Sequence, residues 1–372
     1  MKRKILLVTK SFFPDSKGGV EESVRQIINK CSNNSITFDV LTLSNETREY
    51  FYEEIKVLTF KKSFNFQSNP ISFDLIGNLK IVKDYDLIHI HSPWPFFELL
   101  SIFLPKRKIL ITYHCGIYKF PFSNFIYKFF MKLILLRVKK FIFTSKRSLL
   151  SFNAPNFLKN KCTVVSLWFD DKRMLSGSSF EEEKNYEPYQ PYAIFIGSLR
   201  WYKGLNFLLD AFHEIDNLNL LIVGTGPKEK FINAELKNSK SKNIKYLGSL
   251  SDEITLNYLK NSKFLILPST SPAEAFGQVL LEASYFKKPM ITTELGTGTS
   301  YVNKNLETGI VIKPNSKIEL VKAIKELIGD KDKIEKYGNN AYNRLHKEFS
   351  ADFNSKKLLE VYSKFNHENS SS

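Results

Sequence analysis

The sequence is poor in residues that would commit it to several function classes. It has three cysteines in 372 residues, Cys31, Cys115 and Cys162, an odd number with no CxxC pair. That usage excludes a disulfide framework and argues against a structural zinc site. Long apolar runs are also missing. The most apolar stretch, Phe125–Phe143, is interrupted by Lys128, Lys132, Arg137, Lys139 and Lys140, so no membrane-spanning helix is expected. At the start, MKRKILLVTK keeps only Ile5–Val8 apolar, which reads as a strand and not a signal peptide. A cytoplasmic protein is the expectation.

The most informative shortage is of acid. Lys and Arg total 54 against 38 Asp and Glu, a formal net charge of +16. Residues 1–180 hold 28 basic and 14 acidic side chains, whereas the rest of the chain holds 26 and 24. From Leu99 to Phe169 there is no Asp or Glu at all, while 13 Lys and Arg occur. Such a balance suits anionic partners: nucleic acid, lipid head groups or phosphorylated small molecules. Nucleic acid is the competing class. The chain shows none of its usual elements, having no zinc fingers, no RNP-like aromatic motif and no continuous basic helix.

What is present is an alternation of short β-rich runs with helix-length patterns, over a length that suits two domains. Lys4–Thr9, Thr37–Thr42, Leu87–His91, Ile109–Tyr113, Lys140–Thr144 and Cys162–Ser166 read as strands, with helices such as Val20–Lys30 and Phe122–Arg137 between them. Several strands are apolar throughout, as parallel strands covered on both faces are. After a polar stretch at 171–191 the series restarts with Tyr192–Gly197, Asn219–Gly224, Ile244–Gly248, Phe264–Pro268, Pro289–Thr293 and Gly309–Ile312. Helices are expected over Leu205–Glu214, from Pro227, and over Gly277–Lys287. The fold class is therefore α/β, with two doubly wound Rossmann-like domains facing each other across a cleft: residues 1–170, a linker at 171–191, and 192–349. Ligands of such sheets bind beyond the carboxyl ends of the strands.

Three loops at those ends carry chemistry. The first strand is followed by a loop ending in Gly18 and Gly19 at the mouth of a helix, where backbone N–H groups can approach a phosphate. The second domain opens with Gly197-Ser-Leu-Arg200-Trp-Tyr-Lys203-Gly204, whose two cations can converge on a diphosphate. After Phe264–Pro268 comes Glu274-Ala-Phe276-Gly277-Gln278 with Glu282 farther on, Gly277 being expected in the first turn of the helix. One carboxylate can accept hydrogen bonds from sugar hydroxyls while the other grips a ribose diol.

The ExFGxxxxE motif, the GG loop, GxxRxxKG, LLIVGTGP (Leu220–Pro227) and YLGSLSDEI (Tyr246–Ile254) occur in the order seen in retaining GT-B glycosyltransferases of the GT4 type, which the whole chain resembles. The resemblance implies a nucleotide-sugar donor held between the domains and no metal ion. By that likeness Glu274 contacts donor-sugar hydroxyls, Glu282 the ribose, Arg200 and Lys203 the diphosphate, and Gly19 the distal phosphate. Gly18, Gly197, Phe276, Gly277 and Gln278 complete the donor site. His114, in ITYHCG, resembles the family's active-site histidine. His89 and His91 are read as alternating on their strand, so that one faces the cleft, and His91 is chosen. HIHSPWPF and ELGTGTSYV resemble bacterial O-antigen rhamnosyl- and mannosyltransferases, which implies GDP-mannose as donor and a lipid-linked saccharide as acceptor. A UDP-sugar transferase and a nucleotide-sugar epimerase are the alternatives. No carboxylate lies near His114 in sequence to form a glycosyl-enzyme, which favours a front-face mechanism.

Two further stretches complete the reading. Asp84-Tyr-Asp86 spells DxD but sits directly before a strand and reads as a turn, not a metal site. In Tyr118–Phe143, Lys128, Lys132 and Lys139 fall on one side of a helical wheel and Arg137 opposite. This is read as a helix resting its lysine side on an anionic membrane, at the inner face of the plasma membrane. The alternative is a partly buried helix with snorkelling lysines. The terminal pattern at 350–366 resembles the family's last helix, which crosses back to the first domain.

Overall fold

The computed structural model describes residues 2–66, 69–118, 122–169, 174, 187–238 and 242–365. The expected linker at 171–191 lies outside them apart from 174 and 187–191. The chain divides into two compact units, Met1–Leu167 with Ala351–Ser372, and Trp168–Ser350.

In the first unit the apolar runs become parallel strands because both of their faces are covered. The strands are β1 (Arg3–Val8), β2 (Ile36–Ser44), β3 (Arg48–Tyr52), β4 (Ile55–Lys61), the short pair β5 (Phe64–Phe66) and β6 (Asn69–Ile71), β7 (Leu87–Ser92), β8 (Ile109–Tyr113), β9 (Lys140–Phe143) and β10 (Cys162–Val164). The main sheet has the order β10-β9-β8-β7-β1-β2-β4-β3, with only β3 antiparallel. β1 is central, and Ile5, Leu6, Leu7 and Val8 are wholly buried. The β3–β4 hairpin and the β5–β6 pair carry no expectation from the sequence. β3 is a solvated edge strand with charges at Arg48 and Glu49, β4 is buried beside β2, and β5 and β6 are three residues each, too short to show a period-2 signal.

The chain leaves β1 in one direction for β2 and returns to its other side for β7, so the topological switch point lies between β1 and β7. Helix α1 (Gly19–Cys31) follows β1, and α2 (Phe73–Gly77) precedes β7. The crossovers from β7 through β10 carry α3 (Pro95–Leu100), α4 (Ser123–Arg137) and α5 (Lys146–Phe152). All three step the same way along the sheet, and right-handed crossover places them on one face, opposite α1.

The second unit is a six-stranded parallel sheet of order β13-β12-β11-β14-β15-β16. Its strands are β11 (Tyr192–Ile196), β12 (Asn219–Val223), β13 (Ile244–Gly248), β14 (Leu265–Leu267), β15 (Met290–Thr293) and β16 (Gly309–Ile312). The helices are α6 (Leu205–Phe212), α7 (Glu229–Asn238), α8 (Asp252–Asn261), α9 (Val279–Tyr285), α10 (Thr299–Val302), α11 (Lys317–Ile328) and α12 (Lys331–Glu348). Here the switch point lies between β11 and β14. The last helix, α13 (Ala351–Ser363), belongs to the first unit and packs on α1, where Asp352 pairs with Lys30 at 2.6 Å.

Candidate functional site

At the switch point of the second unit, the loops after β11 and β14 are locked together. The Thr270 amide donates to the Tyr202 carbonyl at 2.7 Å. Gly204 has φ +71, and a Cβ there would fall 2.0 Å from the Pro268 carbonyl oxygen. Only glycine permits both the conformation and the approach. The result is a buried ion pair: Lys203 Nζ lies 2.5 Å from Glu274 Oε2, which also accepts from the Ser269 hydroxyl at 2.9 Å. Gly197 stands beside the ammonium, since a Cβ on it would lie 3.4 Å from Nζ. Its bare backbone leaves that cation approachable. Arg200, by contrast, is exposed, and its Nε reaches the Ser198 hydroxyl at 3.3 Å.

The ExFG segment follows. Gly277 has φ +75 and precedes the helix, which begins at Val279 and not at Gly277 as expected. The left-handed residue sets the chain's entry, and its carbonyl accepts a first-turn bond from the Leu280 amide at 2.9 Å. Gln278 has a buried amide nitrogen, Nε2, without a hydrogen-bond partner. Glu282 is buried one helical turn farther on. Phe276 is a core residue whose ring meets Phe349 edge-on at 6.0 Å. Lys203, Glu274 and Ser269 thus meet at the β11/β14 switch point, and Gly277, Gln278 and Glu282 follow Glu274 in the same loop and the helix it enters. A buried donor with no acceptor costs free energy unless a ligand or water satisfies it.

In the first unit, Gly18 is the N-terminal cap of α1 and Gly19 its first residue. The loop before them is organised by Glu21, whose Oε1 accepts from Ser11 and Ser16, each at 2.7 Å. A Cβ on Gly18 would come 2.7 Å from Glu21 Oε2, so the carboxylate folds back close over the Gly18 backbone.

Across the β1/β7 switch point lies a cluster of three buried histidines. His89 and His91 are two apart on β7 and share one face, with ring centroids 4.5 Å apart. The expected alternation between them is therefore corrected, because side chains in a strand repeat every second residue. His89 is held by Tyr362 Oη at 2.9 Å and Thr112 Oγ1 at 2.7 Å. His91 Nδ1 and His114 Nε2 are 3.0 Å apart and share a hydrogen bond, while His91 Nε2 is buried without a partner. Burial pushes His89 down to about 3 and His114 to about 4. Burial also pushes His91 well below its ordinary value, helped by the two neighbouring rings. All three rings are neutral at pH 7, so one proton lies between His91 and His114 and fixes their tautomers together.

Ser269, Tyr362 and the buried Glu98 carry no expectation from the sequence. Glu98 accepts from the Trp94 amide at 2.9 Å and the Tyr127 hydroxyl at 2.6 Å, and burial raises its pKa. Ser269 had a legible signal, a hydroxyl directly after a buried strand at a carboxyl end. Tyr362 had none, because its partner lies 273 residues away. Asp86 accepts from the Lys4 amide at 2.9 Å at the amino ends of the strands, remote from their carboxyl ends.

Comparison with known proteins identifies the family. A family model described as glycosyl transferases group 1 matches residues 178–344, and one described as Glycosyltransferase Family 4 matches 17–173. The chain is 31% identical to the O-antigen chain mannosyltransferase C of Escherichia coli, over 94% of this chain and 95% of that protein. It is 28% identical to the D-rhamnosyltransferase WbpZ of Pseudomonas aeruginosa, over 94% and 92%. In fold it is similar to the sucrose-phosphate synthase of Thermosynechococcus elongatus, with a TM-score of 0.78 at 16% identity over 98% of this chain and 100% of that one. A glycosyltransferase of Rickettsia africae gives a TM-score of 0.74 at 21% identity, covering 99% of each chain. With two Rossmann-like units, both family models and a relative matched over nearly its full length, the chain belongs to the GT4 family of GT-B glycosyltransferases.

Proposed function

We propose that this glycosyltransferase moves a mannose-type sugar from GDP-mannose to a lipid-linked saccharide in bacterial surface-polysaccharide synthesis, with retention and without a metal ion. The observation that carries the reading is the buried Lys203–Glu274–Ser269 set at the β11/β14 switch point, beside the unpartnered Gln278 amide. The relatives' names, an O-antigen mannosyltransferase and a D-rhamnosyltransferase, support the sugar class and the acceptor.

In this reading Glu274 accepts from donor-sugar hydroxyls and Glu282 from the ribose. Lys203 and Arg200 hold the diphosphate, and Gly19 with the first turn of α1 meets its distal phosphate. Lys203 has three N–H donors and gives one to Glu274, so the same ammonium ties sugar and diphosphate contacts together. The acceptor hydroxyl attacks the anomeric carbon on the face the diphosphate leaves. The C–O bond to the phosphate breaks with its electron pair, and the hydroxyl proton passes to the departing phosphate oxygen. Charge growing on that oxygen is what Arg200 and Lys203 stabilise. His114, neutral and hydrogen-bonded to His91, serves the donor sugar as a hydrogen-bonding group, and the buried His91 Nε2 has no partner within the protein. The enzyme works at the inner face of the plasma membrane, although among the described residues no helix is long and apolar enough to cross it.

Thermal shift with GDP, UDP and an oligonucleotide, followed by a donor screen on the cell's own lipid-linked acceptor, tests this. GDP stabilisation and mannosyl transfer are expected. Stabilisation by UDP alone overturns the donor, stabilisation by the oligonucleotide alone overturns the enzyme reading, and donor isomerisation without transfer points to an epimerase.

A further inference from the structure

The acid-free stretch of the sequence is also where the protein exposes its apolar side chains. Among the described residues 19 large apolar side chains are exposed, and 10 of them lie between Leu99 and Phe169. Six belong to α4 and its approach: Phe122, Phe125, Ile126, Phe129, Leu133 and Leu136, from 49% to 81% exposed. At helical periodicity these six fall within about 100° of arc. The opposite side of α4, with Tyr127, Met131, Ile134 and Leu135, is buried on the sheet. The helix is therefore apolar on two opposite sides although only one of them is covered, which is unusual for a surface helix.

The cations border the stripe. Lys128 and Lys132 lie along one edge and Arg137 along the other, with no acid nearby in sequence. The most exposed side of α4 is therefore the apolar stripe and not its lysine edge, where Lys128 and Lys132 are half-buried. Lys128 Nζ bends to the Ser151 carbonyl at 2.7 Å, and Arg137 Nε to the Ile102 carbonyl at 2.8 Å. The apolar stripe projects between them. Exposed Phe103 and Leu150 come from the flanking segments of the same face of the sheet.

We propose that the outer face of the α3–α5 layer docks on an anionic lipid bilayer, with the α4 stripe as the inserting element and its bordering cations meeting lipid phosphates. An apolar patch of this size needs a cover, and the lack of any acid over 71 residues selects a negatively charged one. The proposal rests on the peripheral membrane location given above, and it adds the surface and the inserting residues.

Co-sedimentation of the full chain with vesicles of phosphatidylcholine, alone or with phosphatidylglycerol, tests it. Wild type is expected to bind the phosphatidylglycerol vesicles at least tenfold more tightly than neutral ones. The triple variant Phe122→Ser, Phe125→Ser, Phe129→Ser is expected to lose at least tenfold. These side chains are exposed, so its melting temperature and its GDP shift stay at the wild-type values. A triple variant that binds as wild type does, or a wild type indifferent to vesicles, overturns the proposal. So does a wild-type dimer in solution that the variant makes monomeric, since a second copy then covers the face. If no nucleotide stabilises the protein while vesicle binding behaves as described, the donor reading fails and the docking surface stands.

Discussion

Acidification should unfold the first unit through its histidines. In the folded chain His89 holds its proton only below about 3 and His114 only below about 4, because burial penalises the charged ring. In the unfolded chain both titrate near the ordinary value of about 6.5. A folded pKa below the unfolded one makes the contribution to stability fully present above about 6.5. It is lost as pH falls from there toward the folded values. Each ring then removes about 1.4 kcal/mol per pH unit, so at pH 5 each has removed about 2 kcal/mol and the two together about 4. His91 acts in the same direction, pushed down by burial and its neighbours. Against a typical stability of about 5–15 kcal/mol this is a large fraction. Urea melts from pH 8 to pH 5, read by a probe in the first unit, should show the midpoint falling steeply below pH 6.5. His89→Gln removes one titrating ring and should flatten that slope by about 1.4 kcal/mol per pH unit, whatever it does to stability at pH 8. A flat wild-type profile, or an unchanged slope in the variant, refutes the reasoning.

Four further outcomes follow from the geometry. Gly204→Ala places a Cβ 2.0 Å from the Pro268 carbonyl oxygen at a φ of +71, and should destabilise the second unit by more than roughly 2 kcal/mol in urea melts. Lys203→Ala strands the buried Glu274 carboxylate and should cost about 3–5 kcal/mol, whereas Lys203→Met with Glu274→Gln should cost less than that single change. Tyr362→Phe removes the 2.9 Å contact to His89 and should cost about 1–3 kcal/mol, seen as a lower melting temperature of the first unit alone. Arg200 is exposed, so Arg200→Ala should leave melting unchanged and lower kcat/KM roughly tenfold to a hundredfold; full turnover would remove it from the diphosphate clamp.

Much of this was legible in the chain. The all-apolar runs around Leu6, Ile111 and Ile194 announce parallel strands, because a strand buried on both faces has no polar side to show. The GG, GxxRxxKG and ExFG segments stand at strand ends in the order the fold requires. Backbone chemistry of this kind is local, and Gly204 and Gly277 declare left-handed positions within a few residues of themselves. Less legible were the β3–β4 hairpin, of which only β3 is solvated, and the start of α9, which follows a left-handed glycine.

The sequence by itself determined two α/β units, the strand-end loops bearing the glycines, cations and carboxylates, and a basic, acid-free segment in the first unit. Only the tertiary structure decided which partners those residues take. Lys203 meets Glu274 across 71 positions, and Tyr362 meets His89 across 273. Sheet order and crossover hand, which have no local signature, bring them together. The same holds for α4. Its sequence is apolar on two opposite sides, and packing alone chose which of them to bury, leaving Phe125, Ile126, Phe129, Leu133 and Leu136, with Phe122 at the approach, exposed between the cations.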